Sequence, residues 1–279
     1  MCMQKELSPG IVAGPRRRSI DHARHGLANL LATKTWDEFH HFLIRDAIDR
    51  LFADFVELKA RRPSILALCA DYKEAATLRQ FPFETITLTG LMPADEKMRE
   101  FLQQDSRIRY QQQNAESLSF DSQSFDVVFC KEGLHHLARP VLGLYEMLRT
   151  CRTAVVFIEG YDGWLNRRLE RAGLSSKYET DQLGNIAQRR NYVFRWGHRI
   201  LEELLDSYYL DSGWAVRSVS AWMGARVQFG KQLWLRRFGI TAGWLLSFLP
   251  GFEGNYLTVI IRPGIDLPLD PRPIAPMQA

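Results

Sequence analysis

Over residues 36–56 apolar side chains recur as Phe39, Phe42, Leu43, Ala47, Ile48, Leu51, Phe52, Phe55 and Val56. That three-and-four spacing predicts one long amphipathic helix with a face to bury. Beyond it the pattern shortens. Residues 64–68, 85–89, 107–111, 125–130 and 154–159 read as five strands, and stretches with helical spacing lie at 74–80, 94–104 and 141–149. Strands and helices alternating at this interval predict a parallel sheet with right-handed crossovers and helices on both faces. The run Val127, Val128, Phe129 is continuously apolar and bounded by polar turn residues, as expected of a strand buried on both faces.

The remainder departs from simple alternation. Residues 199–209 have helical spacing, 215–222 read as a strand, and 255–262 (NYLTVIIR) form a β-branched run that stops at Pro263. The last two are expected to pair antiparallel. Between them lies an insertion, 224–254, carrying Leu233, Trp234, Leu235, Phe238, Trp244, Leu245, Leu246, Phe248 and Leu249 among Arg226, Lys231, Arg236 and Arg237. Its apolar part is shorter than the roughly 20 residues of a membrane-spanning helix. Three readings of it stand: a packed cap over a substrate cleft, which is favoured, a homodimer contact, or a basic amphipathic element at a membrane surface through 231–250.

The first twenty residues, with Pro9, Gly10, Gly14 and Pro15, read as a lead-in, and the Arg16–Arg18 run as a solvated tail. The tail from Pro263 holds Pro268, Pro271, Pro273 and Pro276 and is expected to be extended. The chain therefore divides into a tail and helical extension (1–62), a main domain (63–263) with its insertion, and a Pro-rich end (264–279).

Composition narrows the function class. The 279 residues are 46% hydrophobic and 24% charged, enough for one sizeable core. A formal charge of +4, mixed with acids throughout, argues against a nucleic-acid partner. No signal-type apolar run opens the sequence, so a cytoplasmic location is expected. Cys2, Cys69, Cys130 and Cys151 have neither metal-ligand nor disulfide-framework spacing, which predicts reduced thiols and no metal.

The most telling stretch is 114–137, NAESLSFDSQSFDVVFCKEGLHHL. Asn114, Ala115, Glu116, Leu118 and Phe120 form its first piece; Ser124, Phe125, Asp126, Val127 and Val128 its second; Leu134, His135, His136 and Leu137 its third. It resembles the central part of the class I methyltransferases that use S-adenosylmethionine, in their small-molecule branch. The resemblance covers about 63–159. It implies an α/β, three-layer Rossmann-like methyltransferase fold: a mostly parallel seven-stranded sheet with an antiparallel last strand, an N-terminal helical extension and a helical insertion between the last two strands.

The same resemblance implies a cofactor site. S-adenosylmethionine would lie against Leu68, Cys69, Ala70 and Asp71 after the first strand, Gly90 and Leu91 after the second, Asn114, Ala115 and Glu116 after the third, and Cys130 and Lys131 at the end of the fourth. Family members carry an acid and a glycine-rich turn after the first strand, because backbone must approach the cofactor closely. Here Ala67 stands for the acid and Cys69, Asp71 and Lys73 for the glycines. The carboxylate that takes the ribose hydroxyls is replaced by Gly90. Asp71 could assume the missing acid's role, and Asn114 could accept from the adenine amino group.

His135 and His136 are candidate catalytic bases, since ligands in open α/β sheets sit outside the carboxyl ends of the strands. Glu159, Tyr161 and Asp162 leave the fifth strand in the loop that faces the acceptor in this family. Tyr192 and Arg195, in a segment (NYVFRW) that resembles one in methyltransferase-like proteins of glycoconjugate pathways, are candidates for a hydroxylated or anionic acceptor. Two functions remain open: methyl transfer to an oxygen or nitrogen of a small molecule or glycoconjugate, and a non-catalytic relative that keeps the fold as a binding or scaffolding module. A third, changed chemistry would use the histidines with Glu132, Glu159 or Asp162.

Overall fold

The computed structural model describes residues 18–173, 178–180, 190–209, 213–221 and 233–263. The long N-terminal helix forms as α2 (Trp36–Asp54). Thr35 caps it by accepting from the Glu38 amide, and Asp37 and Glu38 complement the positive end of its dipole. Phe39, Leu43, Ile44, Ala47, Ile48, Leu51 and Phe52 are buried along one face, each such side chain stabilising the fold by about 1.5–3 kcal/mol at full burial. The helix stops at Phe55, where the backbone leaves helical geometry, and a short α3 (Val56–Ala60) follows. Before α2 lies α1 (Leu27–Ala32).

Strands β2 (Ser64–Leu68), β3 (Thr85–Gly90), β4 (Ile108–Gln112), β5 (Phe125–Lys131) and β6 (Cys151–Gly160) coincide with the five expected runs to within three residues at any end. Helices α4 (Tyr72–Leu78), α5 (Glu96–Leu102) and α6 (Pro140–Thr150) flank them. After β6 come α7 (Trp164–Arg171), a small hairpin of β7 (Tyr178–Thr180) and β8 (Arg190–Tyr192), α8 (His198–Tyr208), β9 (Trp214–Ala221), α9 (Leu233–Leu246) and β10 (Tyr256–Pro263).

The main sheet is mixed and mostly parallel; with Arg18–Arg24 as β1, its order is β1-β9-β10-β6-β5-β2-β3-β4. β10 runs antiparallel to both β6 and β9, as expected. The core splits into two layers. One, around Leu43, Ile48, Ile65, Ile86 and Phe129, is covered by α2, α4 and α5; the other, around Leu66, Val128, Leu148, Trp196 and Leu205, is covered by α6 and α8.

Two expectations are corrected. The sheet has eight strands, not seven, because residues assigned to the lead-in form β1 (Arg18–Arg24), which lies parallel to β9 with Arg18 opposite Trp214. The earlier residues 1–17 lie outside the described part, as do 222–232 and the Pro-rich end. The insertion's helix also fails to act as a cap that buries both tryptophans. α9 packs on α1, and Trp244 is half-buried with its indole donating to the His25 carbonyl at 3.1 Å, but Trp234 is 66% exposed.

Candidate functional site

β2 pairs with β5 on one side and β3 on the other, while β6 extends the sheet beyond β5. The strands β2 and β5 are parallel, but the order in which strands are added to the sheet reverses between them, and a crevice opens at their carboxyl ends. The turn leaving β2 is built without glycine. Cys69 takes a left-handed conformation (φ 51°), at a cost of about 1–2 kcal/mol for a residue with a Cβ. Ala70 donates to the Thr89 carbonyl at 3.0 Å. Asp71 then caps α4 by accepting from the Lys73 amide at 2.6 Å, and Glu74 accepts from the Asp71 amide at 3.1 Å, a reciprocal capping box that fixes the turn.

On the α2 side of this edge lies a cavity of about 260 Å³, lined by Trp36, His40, Asp71, Glu74, Lys131 and Glu132 among others. Its wall is a network of charge. The Lys131 ammonium is largely buried and lies 2.8 Å from Glu132 and 3.4 Å from Glu74. Glu132 also meets His40 at 3.2 Å and accepts from the Tyr256 hydroxyl at 2.8 Å. Burial opposes ionisation of Glu132, but Lys131, His40 and the Tyr256 hydroxyl outweigh it and hold the carboxyl down to about 2. Burial also opposes the charge on Lys131, yet its two carboxylates raise its pKa above the ordinary lysine value. Burial and the adjacent Asp71 push Glu74 up to about 7, and burial lowers His40 to about 4 in spite of Glu132.

Further along the loop after β5, residues Leu134–His136 form a 3-10 turn. His135 Nδ1 lies 2.5 Å from Glu159 Oε2, and Glu159 Oε1 accepts from the Leu134 amide at 2.8 Å. Glu159 is fully buried, with its carboxylate oxygens shared between His135 and the Leu134 amide. His136 stacks on His135 with ring centroids 4.4 Å apart. Behind the turn the Cys130 thiol is hydrogen-bonded to the Cys69 sulfur, which lowers the Cys69 pKa and, with burial, raises that of Cys130. Gly133 makes this packing possible: a Cβ there would stand 2.6 Å from Cys69 Cβ and 2.8 Å from Cys130 Sγ.

The other expected residues divide. Leu68, Ala70 and Ala115 are buried. Gly90 ends β3, where a Cβ would meet the Tyr110 hydroxyl at 2.5 Å; that hydroxyl donates to the Met92 carbonyl. Leu91 is exposed. The Asn114 side-chain oxygen, proposed for adenine, accepts from the Glu116 amide at 3.0 Å, and Glu116 in turn receives the Arg139 guanidinium at 2.8 Å. Tyr161 is buried against His198 at a centroid distance of 5.6 Å. Asp162 receives Arg167 at 3.5 Å, Arg195 pairs with Glu170, and Tyr192 is 54% exposed. The described structure thus brings Cys69, Cys130, Gly133, His135 and Glu159 together, and Asp71, Glu74, Lys131 and Glu132 together. It ties Arg195 to α7 instead of to either group.

His40, Trp36 and Tyr256 were not anticipated. They reach the edge from α2 and β10, and nothing in their local sequence marks them: His40 reads as a polar position on an amphipathic helix and Tyr256 as the first residue of a strand.

Residues 69–158 match the family described as Methyltransferase domain. No curated protein sequence matches the chain. Among solved structures, it is similar to the PH0226 protein of Pyrococcus horikoshii OT3 (15% identity, 84% of this chain and 93% of that one, TM-score 0.49). It is also similar to 1,6-didemethyltoxoflavin-N1-methyltransferase of Burkholderia thailandensis, solved with S-adenosylhomocysteine (15%, 80% and 79%, TM-score 0.46). A third is an S-adenosylmethionine dependent methyltransferase of Mesorhizobium loti (13%, 72% and 90%, TM-score 0.46). The matched segment runs from the turn after β2 into β6, across most of both groups of site residues, and over it the chain is similar to the Methyltransferase domain family.

Proposed function

We propose that the protein transfers a methyl group from S-adenosylmethionine to an oxygen or nitrogen of a small-molecule or glycoconjugate acceptor. The observation that carries this reading is the pairing of Lys131 with Glu74 at the mouth of the cavity between α2 and the β2–β5 crevice. An amino-acid zwitterion needs a cation for its carboxylate and an anion for its ammonium, side by side, and these two residues offer both. Here the residues fit the amino-acid end of the cofactor. At the ribose end Gly90 supplies no carboxylate, and the Tyr110 hydroxyl, which donates to the Met92 carbonyl, stands where a Cβ at Gly90 would be. The bound cofactor would supply an electrophilic methyl on sulfonium.

The remaining work falls to this chain's own side chains. Glu159 holds His135 by Nδ1, which turns Nε2 away from the carboxylate and suits His135 to take the acceptor's proton. His136, stacked beside it, limits how the ring can turn. Asp162 and Tyr192, at the same end of the sheet, remain candidates for holding the acceptor, with Arg195 placing the segment through Glu170.

The second reading, a non-catalytic relative, is favoured by the left-handed Cys69 and by Tyr110 beneath Gly90. Calorimetry with S-adenosylhomocysteine separates the two. Saturable binding that is weakened at least tenfold by Lys131→Met or Glu74→Gln supports methyl transfer; a hydrogen bond to a charged group is worth about 1.5–3 kcal/mol. Absence of heat at millimolar ligand, with no rise in melting temperature, leaves the binding-module reading.

A further inference from the structure

The outer face of α9 is apolar and uncovered among the described residues. Trp234 and Phe238 are 66% and 68% exposed, and beyond them Leu245, Phe248 and Leu249 are 58%, 55% and 51% exposed. Positions 234, 238, 241, 245 and 248 follow one helical stripe, continued into the turn after the helix. The opposite face is the one that packs. Ile240 is buried, Arg236 donates to the Thr33 hydroxyl at 3.0 Å, and Trp244 reaches the His25 carbonyl. The turn is fastened as well: Arg24 donates to the Ser247 carbonyl at 2.7 Å and lies over the Phe248 ring at 5.0 Å. The stripe is therefore held rigidly outward, and it is not a loose end of the core.

Its charge has one sign. Between Leu233 and Phe252 the sequence contains Arg236 and Arg237 and no aspartate or glutamate; Arg236 turns to Thr33 on the packed face, and Arg237 is exposed. At the far end of the stripe Phe252 stacks on Trp164 of α7 at 5.4 Å, and Arg168 lies over that indole at 5.2 Å, extending the basic rim. A second copy of the chain is a poor occupant, because a two-fold contact sets a patch against itself and would bring Arg237 toward its own equivalent. A bilayer with anionic headgroups complements both features: acyl chains receive the aromatic and leucine side chains, and headgroups receive the arginines. At about 1.5 Å per residue, a helix of 14 residues is too short for a hydrocarbon core of about 30 Å. An orientation parallel to the surface is what remains.

We propose that α9 and the turn that follows it seat the protein on the surface of an anionic membrane, with Trp234, Phe238, Leu245 and Phe248 entering the headgroup boundary. The proposal does not depend on methyl transfer.

The test is co-sedimentation of the full chain with vesicles of phosphatidylcholine alone and of phosphatidylcholine mixed with phosphatidylglycerol. Binding to the mixed vesicles only, reduced by salt, is expected. Trp234→Ser together with Phe238→Ser should weaken it about tenfold or more, and Arg237→Glu with Arg168→Glu should abolish the preference for anionic lipid. All four residues contact little of the core, and unchanged circular dichroism verifies that the variants fold. Equal sedimentation of the Trp234/Phe238 variant and the parent, or no sedimentation with either vesicle, overturns the proposal. So does a concentration-dependent dimer that the same double variant dissolves, which would make this face a contact between copies.

Discussion

His135 and Glu159 are joined across the carboxyl ends of β5 and β6, Nδ1 to Oε2 at 2.5 Å, with the carboxylate's other oxygen taken by the Leu134 amide. Glu159 thereby fixes both the ring and the turn that carries it. Replacing it by glutamine keeps the shape but exchanges one acceptor for a donor, so Glu159→Gln is expected to lower stability by about 1.5–3 kcal/mol in urea unfolding. Once an acceptor is identified, the variant should lower kcat with little change in cofactor affinity, and His135→Ala should lower it about a hundred- to ten-thousandfold.

Gly90 and Tyr110 make a reciprocal prediction. Gly90→Asp alone must displace the Tyr110 hydroxyl, which stands 2.5 Å from where its Cβ would be, and should bring no gain in binding. Combined with Tyr110→Ala the same carboxylate has space and can take ribose hydroxyls. The double variant is expected to bind S-adenosylhomocysteine about ten- to a hundredfold more tightly than the parent by calorimetry.

Thiol chemistry should be selective. Cys69 is exposed and its pKa is lowered by the Cys130 hydrogen bond, whereas Cys130 and Cys151 are buried with their thiols pushed up, Cys151 to about 12. Iodoacetamide at neutral pH should modify Cys69 first among these three, read by peptide mass mapping. Cys130→Ala removes the donor and should slow that labelling. Equal rates at all three positions would show that the native packing around Gly133 is absent in solution.

Acid should destabilise the protein from the histidines downward. His22, His25 and His40 are each lowered from 6.5 to about 4, chiefly by burial. The unfolded chain takes up protons below 6.5 that the folded chain refuses, so stability is lost as pH falls from 6.5 through 4. Glu132, held at about 2 against 4.5, adds a loss as pH falls from 4.5. Glu74 acts in the opposite sense: raised from 4.5 to about 7, it costs stability as pH rises through that interval. Three histidines outweigh one glutamate between 4.5 and 6.5, so the urea midpoint should fall on acidification, and more steeply in Glu74→Gln.

The central parallel strands were legible because they are short apolar runs that must be buried on both faces; Val127–Phe129 is the clearest example, whereas the edge strand β4 is mostly polar and exposed. β1 was not legible. Arg18–Arg24 reads RSIDHAR, with few apolar side chains, and its extended state is imposed by pairing with β9, which is nearly two hundred residues later. For α9 the periodicity was visible but its sense was not, since both faces carry large apolar residues and only packing against α1 and His25 decides which is outside. The Leu134–His136 turn could be placed at the sheet's edge from sequence, yet its carboxylate partner could not be fixed. The charge network around Lys131 draws on α2, α4, β5 and β10, and no local pattern announces a contact assembled from four elements.

The edge position of β1 governs the order in which the molecule can be completed. His22 meets Ser218 across a separation of 196 residues, so β1 has no docking surface until β9, far later in the chain, has been made and paired with β10. Until then Arg18–Arg24 must wait unpaired while the rest of the sheet assembles, and closing so long a loop is a late, entropically costly step. A chain lacking residues up to Arg24 would leave β9 as the open edge of the sheet, its backbone groups available to any other extended segment, and would be expected to self-associate through it.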